Sequence, residues 1–125
     1  MADITLIENE YITMQYLEDR NTIFHVIHQP ISGQPLRDAL MTGFNALEDY
    51  GATKWVSDDR KNGPMTPEDT RWNRQNLNNA IVGTGWKYWA LVVPEQVVAA
   101  GSMLPTMEEL FEDGLRVMVF SDCLL

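Results

Sequence analysis

The chain has 125 residues, the length of one domain, and 45% of them are hydrophobic, which argues against a disordered chain. Eighteen acidic and nine basic residues give a net charge of −9, which disfavours nucleic acids and anionic membrane surfaces as partners. No apolar run reaches the roughly 18 residues that a membrane-spanning helix needs. The single cysteine, Cys123, cannot form an internal disulfide, so we expect a reducing, cytoplasmic location.

The first 28 residues have the pattern of three short strands. Apolar and polar residues alternate over 4–8 and 11–17, and β-branched residues are concentrated over 22–28. Polar turns of the type Glu-Asn and Asp-Arg-Asn separate the three segments. The pattern predicts an antiparallel meander at the start of the domain.

After Gly33 the apolar period changes to that of a helix. Leu36, Leu40, Phe44 and Leu47 form one stripe of about four turns, and Gly51 provides the stop. Further elements are predicted in chain order: a strand over 54–57, a helix from Thr66 to Gly83, an apolar central strand over 87–93 buried on both faces, a helix over 97–104, a helix start at Thr106, and a strand over 115–120. This order predicts one α/β domain over residues 1–125, with a mixed β-sheet in which alternating helices and strands follow the meander.

The charge is distributed unevenly along the chain. Residues 1–59 carry −7, residues 60–89 carry +3, and residues 90–125 carry −5. The basic segment also holds three of the four tryptophans. Its charged and aromatic candidates for partner or ligand binding are Arg60, Lys61, Arg71, Trp72, Arg74, Trp86 and Lys87. An acidic protein with one basic segment can pair with itself or with an acidic partner.

The loop after the strand at 54–57 is a candidate anion site. Ligands of open α/β sheets bind beyond the carboxyl ends of the strands, and this loop leads from such an end to a helix N-terminus near Thr66. Arg60 and Lys61 favour an anion there, whereas Asp58 and Asp59 oppose it. The alternative is a solvated loop whose charges neutralise one another.

Asp58 and Asp59 are also the best candidates for a magnesium-dependent activity. Adjacent strand residues point to opposite faces, however, so the two carboxylates need not share a site. His25 and His28 are expected on opposite faces for the same reason, and they therefore cannot easily chelate one metal. No nucleophile elbow, phosphate-binding glycine loop or zinc-ligand pattern is present, and we assign no catalytic residue, metal or cofactor.

Core packing is the default for the tryptophans. Trp55 and Trp89 lie within strands and are expected in the core. Trp72 lies among arginines, where core and interface are equally plausible, and Trp86 precedes a strand, so we expect one or both to be partly exposed.

Four segments resemble a group of small bacterial proteins in the SpoIIAA-like branch of the STAS superfamily. They are Trp-Val-Ser-Asp-Asp-Arg at 55–60, Thr-Pro-Glu-Asp-Thr-Arg-Trp at 66–72, Gly-Trp-Lys-Tyr-Trp-Ala-Leu-Val-Val-Pro at 85–94, and Val-Phe-Ser-Asp at 119–122. The resemblance covers nearly the whole chain in element order. It implies a mixed sheet flanked by helices and a non-enzymatic cytosolic regulator that contacts other proteins, commonly as a homodimer.

Two departures limit what the resemblance transfers. The family's phospho-acceptor serine is absent at residues 58–63, because Ser57 lies earlier, in the strand itself. The family's last helix would follow Phe120, where the sequence gives five more residues. We therefore expect a non-catalytic interaction module, and the alternative is a carrier of a small molecule or lipid, with an apolar pocket between sheet and helices gated by residues 57–74.

Overall fold

The fold consists of one mixed β-sheet and a layer of helices. The computed structural model describes residues 3–63, 65–95 and 104–121. In chain order the elements are β1 (Ile4–Glu8), β2 (Ile12–Leu17), a 3-10 turn (Glu18–Arg20), β3 (Thr22–Ile27), α1 (Gln34–Tyr50), β4 (Lys54–Asp58), α2 (Pro67–Gly83), β5 (Tyr88–Val92), α3 (Leu104–Glu112) and β6 (Arg116–Phe120). The predicted α/β class and the predicted order of these elements are confirmed.

The six strands lie side by side in the order in which they occur in the chain. β1, β2 and β3 form the predicted antiparallel meander, and β3 to β6 pair in parallel. The predicted mixed sheet is therefore confirmed.

Two sequence-based predictions near the third helix have different outcomes. Most of the helix predicted over 97–104 lies outside the described residues, as does Cys123. The predicted helix start at Thr106 is wrong, because α3 already includes Leu104 and Pro105, and a proline is tolerated in the first turn of a helix.

All three of these helices lie on one face of the sheet. Each crossover between parallel strands moves one place in the same direction, and right-handed crossovers then place their helices on the same side. Contacts between the helices agree with a single layer: Arg37 of α1 bonds Asp69 of α2, and Arg74 of α2 lies 3.7 Å from Glu109 of α3. The helices therefore cover one face, and no described helix covers the other.

The core lies between the sheet and this helical layer. Its centre is an aromatic cluster in which Trp55 contacts Phe44 and Trp86, with ring centroids 5.6 and 5.3 Å apart, and Trp86 contacts Trp89 at 5.6 Å. Trp55 and Trp86 are almost completely buried, whereas Trp89 is half-buried. The apolar stripe of α1 packs on this cluster, as its period predicts.

The prediction that β5 is buried on both faces is wrong. β5 is an interior strand, between β4 and β6, but Tyr88 is 51% exposed and Ala90 is half-buried. The apolar run therefore reflects two different environments, since the described helices pack against only one face of the sheet.

Gly43 brings α1 close to the sheet. A Cβ atom at this position would overlap the ring of Trp55, so only glycine permits this separation. Gly51, in contrast, is required by its backbone, because it ends α1 with φ of 64°, in the left-handed region.

Replacing Gly43 by alanine is expected to lower the free energy of unfolding by about 1–3 kcal/mol, because the methyl group overpacks the core. This loss outweighs the gain in helix propensity of about 1 kcal/mol. The matched control is Gly83→Ala at the last residue of α2, where a Cβ would meet no atom within 4 Å. Urea denaturation measures both variants, and an equal response of the two would contradict the close approach of Gly43 to Trp55.

Candidate functional site

The predicted site at the carboxyl end of β4 is divided between the two faces of the sheet. Ser57 pairs in register with His25 on the helix-covered face, whereas Asp58 pairs with Val26 on the opposite face. Asp59, the next residue, accepts a hydrogen bond on the helix-covered side, from His25. Asp58 and Asp59 therefore do not form a common carboxylate pair. Among the described residues, no group of three ligands is placed to hold a metal ion.

Ser57 and His25 serve the tryptophans of the core. The indole N–H of Trp89 donates to Ser57 Oγ at 2.8 Å, and the indole N–H of Trp55 donates to His25 Nδ1 at 3.0 Å. An indole N–H can only donate, so Nδ1 of His25 is the acceptor and the ring proton is on Nε2. Nε2 then donates to Asp59 Oδ1 at 2.7 Å.

This arrangement decides what the buried polar residues can do. Both ring nitrogens of His25 have partners, so neither is available as a general base for Ser57. Ser57 itself is only 1% exposed, and it cannot contact a partner molecule without rearrangement of the core. His28 lies on the other face, where its Nε2 is 2.7 Å from Thr13 Oγ1, as the spacing of the two histidines predicts.

The predicted cation of the loop, Arg60, is bound to Asp58. Its Nε and Nη2 donate to the two carboxylate oxygens at 2.9 and 2.8 Å. These hydrogen bonds lower the pKa of the Asp58 carboxyl below its ordinary value. Arg60 thus neutralises a carboxylate of its own chain, which corresponds to the solvated-loop alternative for this segment.

The helix N-termini beyond the strand ends are occupied by the protein's own side chains. Thr66 caps α2 by accepting from Asp69 N at 3.1 Å, as its sequence predicts. The buried carboxylate of Asp69 accepts from Gly33 N at 2.9 Å and from Arg37 Nε at 3.1 Å. The hydrogen bond from the Gly33 amide has the largest effect and lowers the pKa of the Asp69 carboxyl. Desolvation raises this pKa and Arg37 lowers it, and the result is a pKa below the ordinary value. A protein carboxylate thus takes the place that an anion would take at the N-terminus of α1.

The remaining basic candidates are spread over the molecule. Lys61 and Arg71 are exposed, and Arg74 is on α2 beside Glu109. Lys87 lies at the amino end of β5, whereas Arg60 follows the carboxyl end of β4. The two ends of β4 are about 13 Å apart. The basic segment is therefore continuous in sequence but does not form one patch.

The two tryptophans with uncertain placement differ. Trp72 is half-buried and packs against the edge of the core, so its expected partial exposure is confirmed. Trp86 is 1% exposed, because it follows α2 directly into the aromatic cluster and its indole N–H donates to Tyr88 O. Trp86 is therefore a core residue and not part of a surface.

A groove of about 400 Å³ lies between α2 and α3. Amide and charged side chains of Asn73, Arg74, Asn78 and Glu109 line it, over a floor that includes Leu77. The space between sheet and helices, where the carrier alternative needs an apolar pocket, is filled at its centre by the aromatic cluster.

Apolar residues also lie on the face of the sheet without described helices, and we call this face the open face. The pairing register divides it into three rows that run across the strands. The middle row is Thr5, Gln15, Phe24, Val56, Ala90 and Met118. The amino-end row is Leu17, Thr22, Lys54, Tyr88 and Arg116. The carboxyl-end row is Glu8, Thr13, Val26, Asp58, Val92 and Phe120.

The open face is apolar at its centre and exposed at one side. Phe24, Val56 and Ala90 are half-buried, while Met118 is 58% exposed and Tyr88 is 51% exposed. The sequence alone does not predict this surface, because an apolar strand residue has the same signal on a covered and on an open face. The signal that could have found it is the direction of the crossovers, which requires the strand order as well as the elements.

Comparisons with protein-family models, with curated proteins and with solved structures give no match. In the part of the chain that the structure describes, no helix is both long enough and apolar enough to cross a membrane.

Replacing Ser57 by alanine is expected to lower the free energy of unfolding by about 1–3 kcal/mol, because the indole N–H of Trp89 loses its acceptor. In a Trp89→Phe background the same replacement has a smaller effect, since no N–H remains to be satisfied. Urea denaturation of the two single variants and the double variant measures this coupling. Additive effects would show that Ser57 does not serve Trp89.

The Asp69 network is expected to make stability depend on pH. The pKa of Asp69 is lower in the folded chain than its ordinary value of 3.8, so its contribution is complete above that value and is lost as the pH falls through the folded pKa. Asp69→Asn is expected to cost about 1–3 kcal/mol at neutral pH and to flatten the acid limb of the stability curve. The control is Glu109→Gln, which removes an exposed ion pair. It is expected to change the free energy of unfolding by no more than about 0.5 kcal/mol and to leave the acid limb as it is. An unchanged acid limb in Asp69→Asn would contradict this assignment.

Proposed function

We propose that this protein is a non-catalytic interaction module that binds another folded protein chain through the open face. The observation that carries the proposal is the apolar part of the middle row, from Phe24 to Met118, which lies on a face without described helices. Contiguous exposed apolar surface on a small protein is typical of an interaction site. Burial of such surface is favourable by about 25 cal/mol for each Å² removed from water.

The composition of the open face supports a protein partner. Aromatic residues and methionine are enriched at the centres of protein interfaces, and the open face has Phe24, Tyr88, Met118 and Phe120. Charged side chains lie only in the two outer rows, as at the rim of an interface. This arrangement of an apolar centre and a polar rim is the reason for proposing a folded partner.

The non-catalytic part of the proposal is supported by the partners of the reactive groups. Ser57 accepts from Trp89, His25 lies between Trp55 and Asp59, and Asp58 is held by Arg60. These interactions stabilise the fold and use the groups that acid–base or nucleophilic chemistry would need.

The proposal includes a cytoplasmic regulator of STAS-like type, as the sequence resemblance implies. The support for this finer part is the order of elements, with an antiparallel meander followed by alternating helices and strands. The carrier alternative has less support, because aromatic side chains occupy the centre of the layer where its pocket is expected.

Oxidative footprinting of methionines tests the proposal without knowledge of the partner. In the single chain Met118 is 58% exposed, against 36% for Met41 and 38% for Met65. If a protein covers the open face, Met118 is oxidised more slowly than Met41 and Met65 inside cells that produce the protein. The same chain unfolded in urea gives the intrinsic rates. Fastest oxidation of Met118 inside cells would contradict the proposal.

A further inference from the structure

The loop after β4 contains Asn62 followed by Gly63, which is the one place in the sequence where glycine follows asparagine. The backbone nitrogen of the next residue can attack the side-chain carbonyl carbon of an asparagine. Glycine hinders this attack least, because it has no Cβ atom. Asparagine is for this reason among the thermolabile residues of proteins.

The structure leaves the attacking nitrogen of Gly63 free. Gly63 is exposed, and its N–H has no acceptor among the described residues. Aspartate followed by glycine undergoes a related reaction, and the chain has this pair at Asp113 and Gly114. There the nitrogen is engaged, because the Gly114 N–H donates to Phe111 O at 3.0 Å. The nucleophile is therefore available at Gly63 and occupied at Gly114.

The asparagines of α1 and α2 lack a free nucleophile as well. The backbone N–H of the residue that follows each of them lies in the interior of a helix, where it bonds to a carbonyl one turn earlier. The helices therefore protect most of the other asparagines of the chain.

The side chain of Asn62 is held by a backbone amide of a different loop. The N–H of the buried residue Ile31, in the loop after β3, donates to Asn62 Oδ1 at 3.0 Å. When the carbonyl carbon is attacked, its oxygen gains negative charge, and an N–H that already points at this oxygen stabilises the charge. The loop thus places a free nucleophile on one side of the reacting carbon and a hydrogen-bond donor at its oxygen.

We propose that Asn62 is a site of spontaneous covalent modification, at which the folded chain converts asparagine into aspartate and isoaspartate. This inference goes beyond the proposed function and does not depend on it. The Gly63 nitrogen forms a bond to Asn62 Cγ, the Cγ–Nδ2 bond breaks, and ammonia leaves with the proton that the Gly63 nitrogen has lost. Water then opens the five-membered imide at one of its two carbonyl carbons.

The two products of this hydrolysis differ in their effect on the loops. Aspartate keeps an oxygen on the same side-chain carbon, so the Ile31 N–H retains an acceptor. Isoaspartate passes the main chain through Cβ and moves the carboxylate, so the Ile31 N–H loses its acceptor. The bond from Gly33 N to Asp69 still joins the start of α1 to α2, so the fold persists while the connection between the two loops is released. Both products add one negative charge to a chain of net charge −9.

Incubation of the folded chain at mildly alkaline pH, followed by peptide mapping at mildly acidic pH, is the first test. The expected result is a gain of one mass unit in the peptide that contains Asn62, with both aspartate and isoaspartate formed. The conversion is expected to be faster at alkaline than at acidic pH, because the attacking nitrogen must lose its proton.

Two glycine variants provide the matched comparison. Gly63→Ala is expected to slow the conversion at least tenfold, since the added Cβ hinders the attack, and this Cβ meets no atom within 4 Å in the fold. Gly83→Ala adds an equally unobstructed Cβ at the end of α2 and leaves the rate unchanged. Equal rates in the two variants would overturn the proposed reaction.

The unfolded chain distinguishes activation from protection by the Ile31 bond. If Asn62 stays intact in the folded chain while it is converted in the chain unfolded in urea, the bond protects the side chain and the proposal is overturned. Isoaspartate at residue 113 in the folded chain, without conversion at residue 62, would overturn the argument from the free N–H of Gly63.

Hydrogen exchange at the Ile31 amide tests the effect on the loops. The isoaspartyl chain, separated by ion exchange, and the variant Asn62→Ala are expected to exchange faster at Ile31 than the unmodified chain. Asn62→Asp retains the acceptor and is expected to exchange as slowly as the unmodified chain. Equal exchange in the isoaspartyl chain and in Asn62→Asp would overturn the release of the loops.

Discussion

The direction of the three crossovers determines the shape of this molecule. A strand order that follows the chain order, combined with right-handed crossovers, leaves only one side of the sheet for the helices. The core forms on that side, and the other side carries apolar strand residues such as Phe24 and Val56. A sheet whose order reverses would place helices on both faces and create a crevice at the reversal. Here the order of the parallel strands has no reversal.

The helix-covered side is specified by the need to satisfy tryptophan N–H groups in a close-packed core. Three indoles meet there, and each donates to a different acceptor: His25 Nδ1, Ser57 Oγ or the carbonyl of Tyr88. The cost of leaving a buried N–H donor without an acceptor is a large fraction of the free energy of unfolding of a small protein. Ser57 and His25 are residue types that often take part in catalysis. Here each accepts a hydrogen bond from the indole N–H of a tryptophan in the core.

Local signals were sufficient for most of the fold. The apolar period of α1, the Thr66 cap and the stop at Gly51 each depend on neighbours in sequence, and each is found as predicted. The placement of Trp86 and the exposure of Tyr88 depend on which face the helices cover, and that information lies in the topology. The basic segment illustrates the same limit, because Arg60 and Lys87 belong to one stretch of the sequence but lie at opposite ends of the parallel strands.

Candidate chemistry could be predicted by residue type but not by partner. The sequence shows that Asp58 and Arg60 are close, yet it does not show that they bond each other, and Asp69 was predicted only as part of a helix cap. Its bonds to Gly33 and Arg37 join two helix N-termini that are more than thirty residues apart in sequence. Such long-range pairings arise from the packing of α1 against α2.

The central claim is that the open face binds another folded protein chain. The oxidation rate of Met118 inside cells that produce the protein tests it most directly. The account predicts that Met118 is oxidised more slowly than Met41 and Met65, although it is the most exposed of the three in the single chain. Faster oxidation of Met118 than of the other two would contradict it.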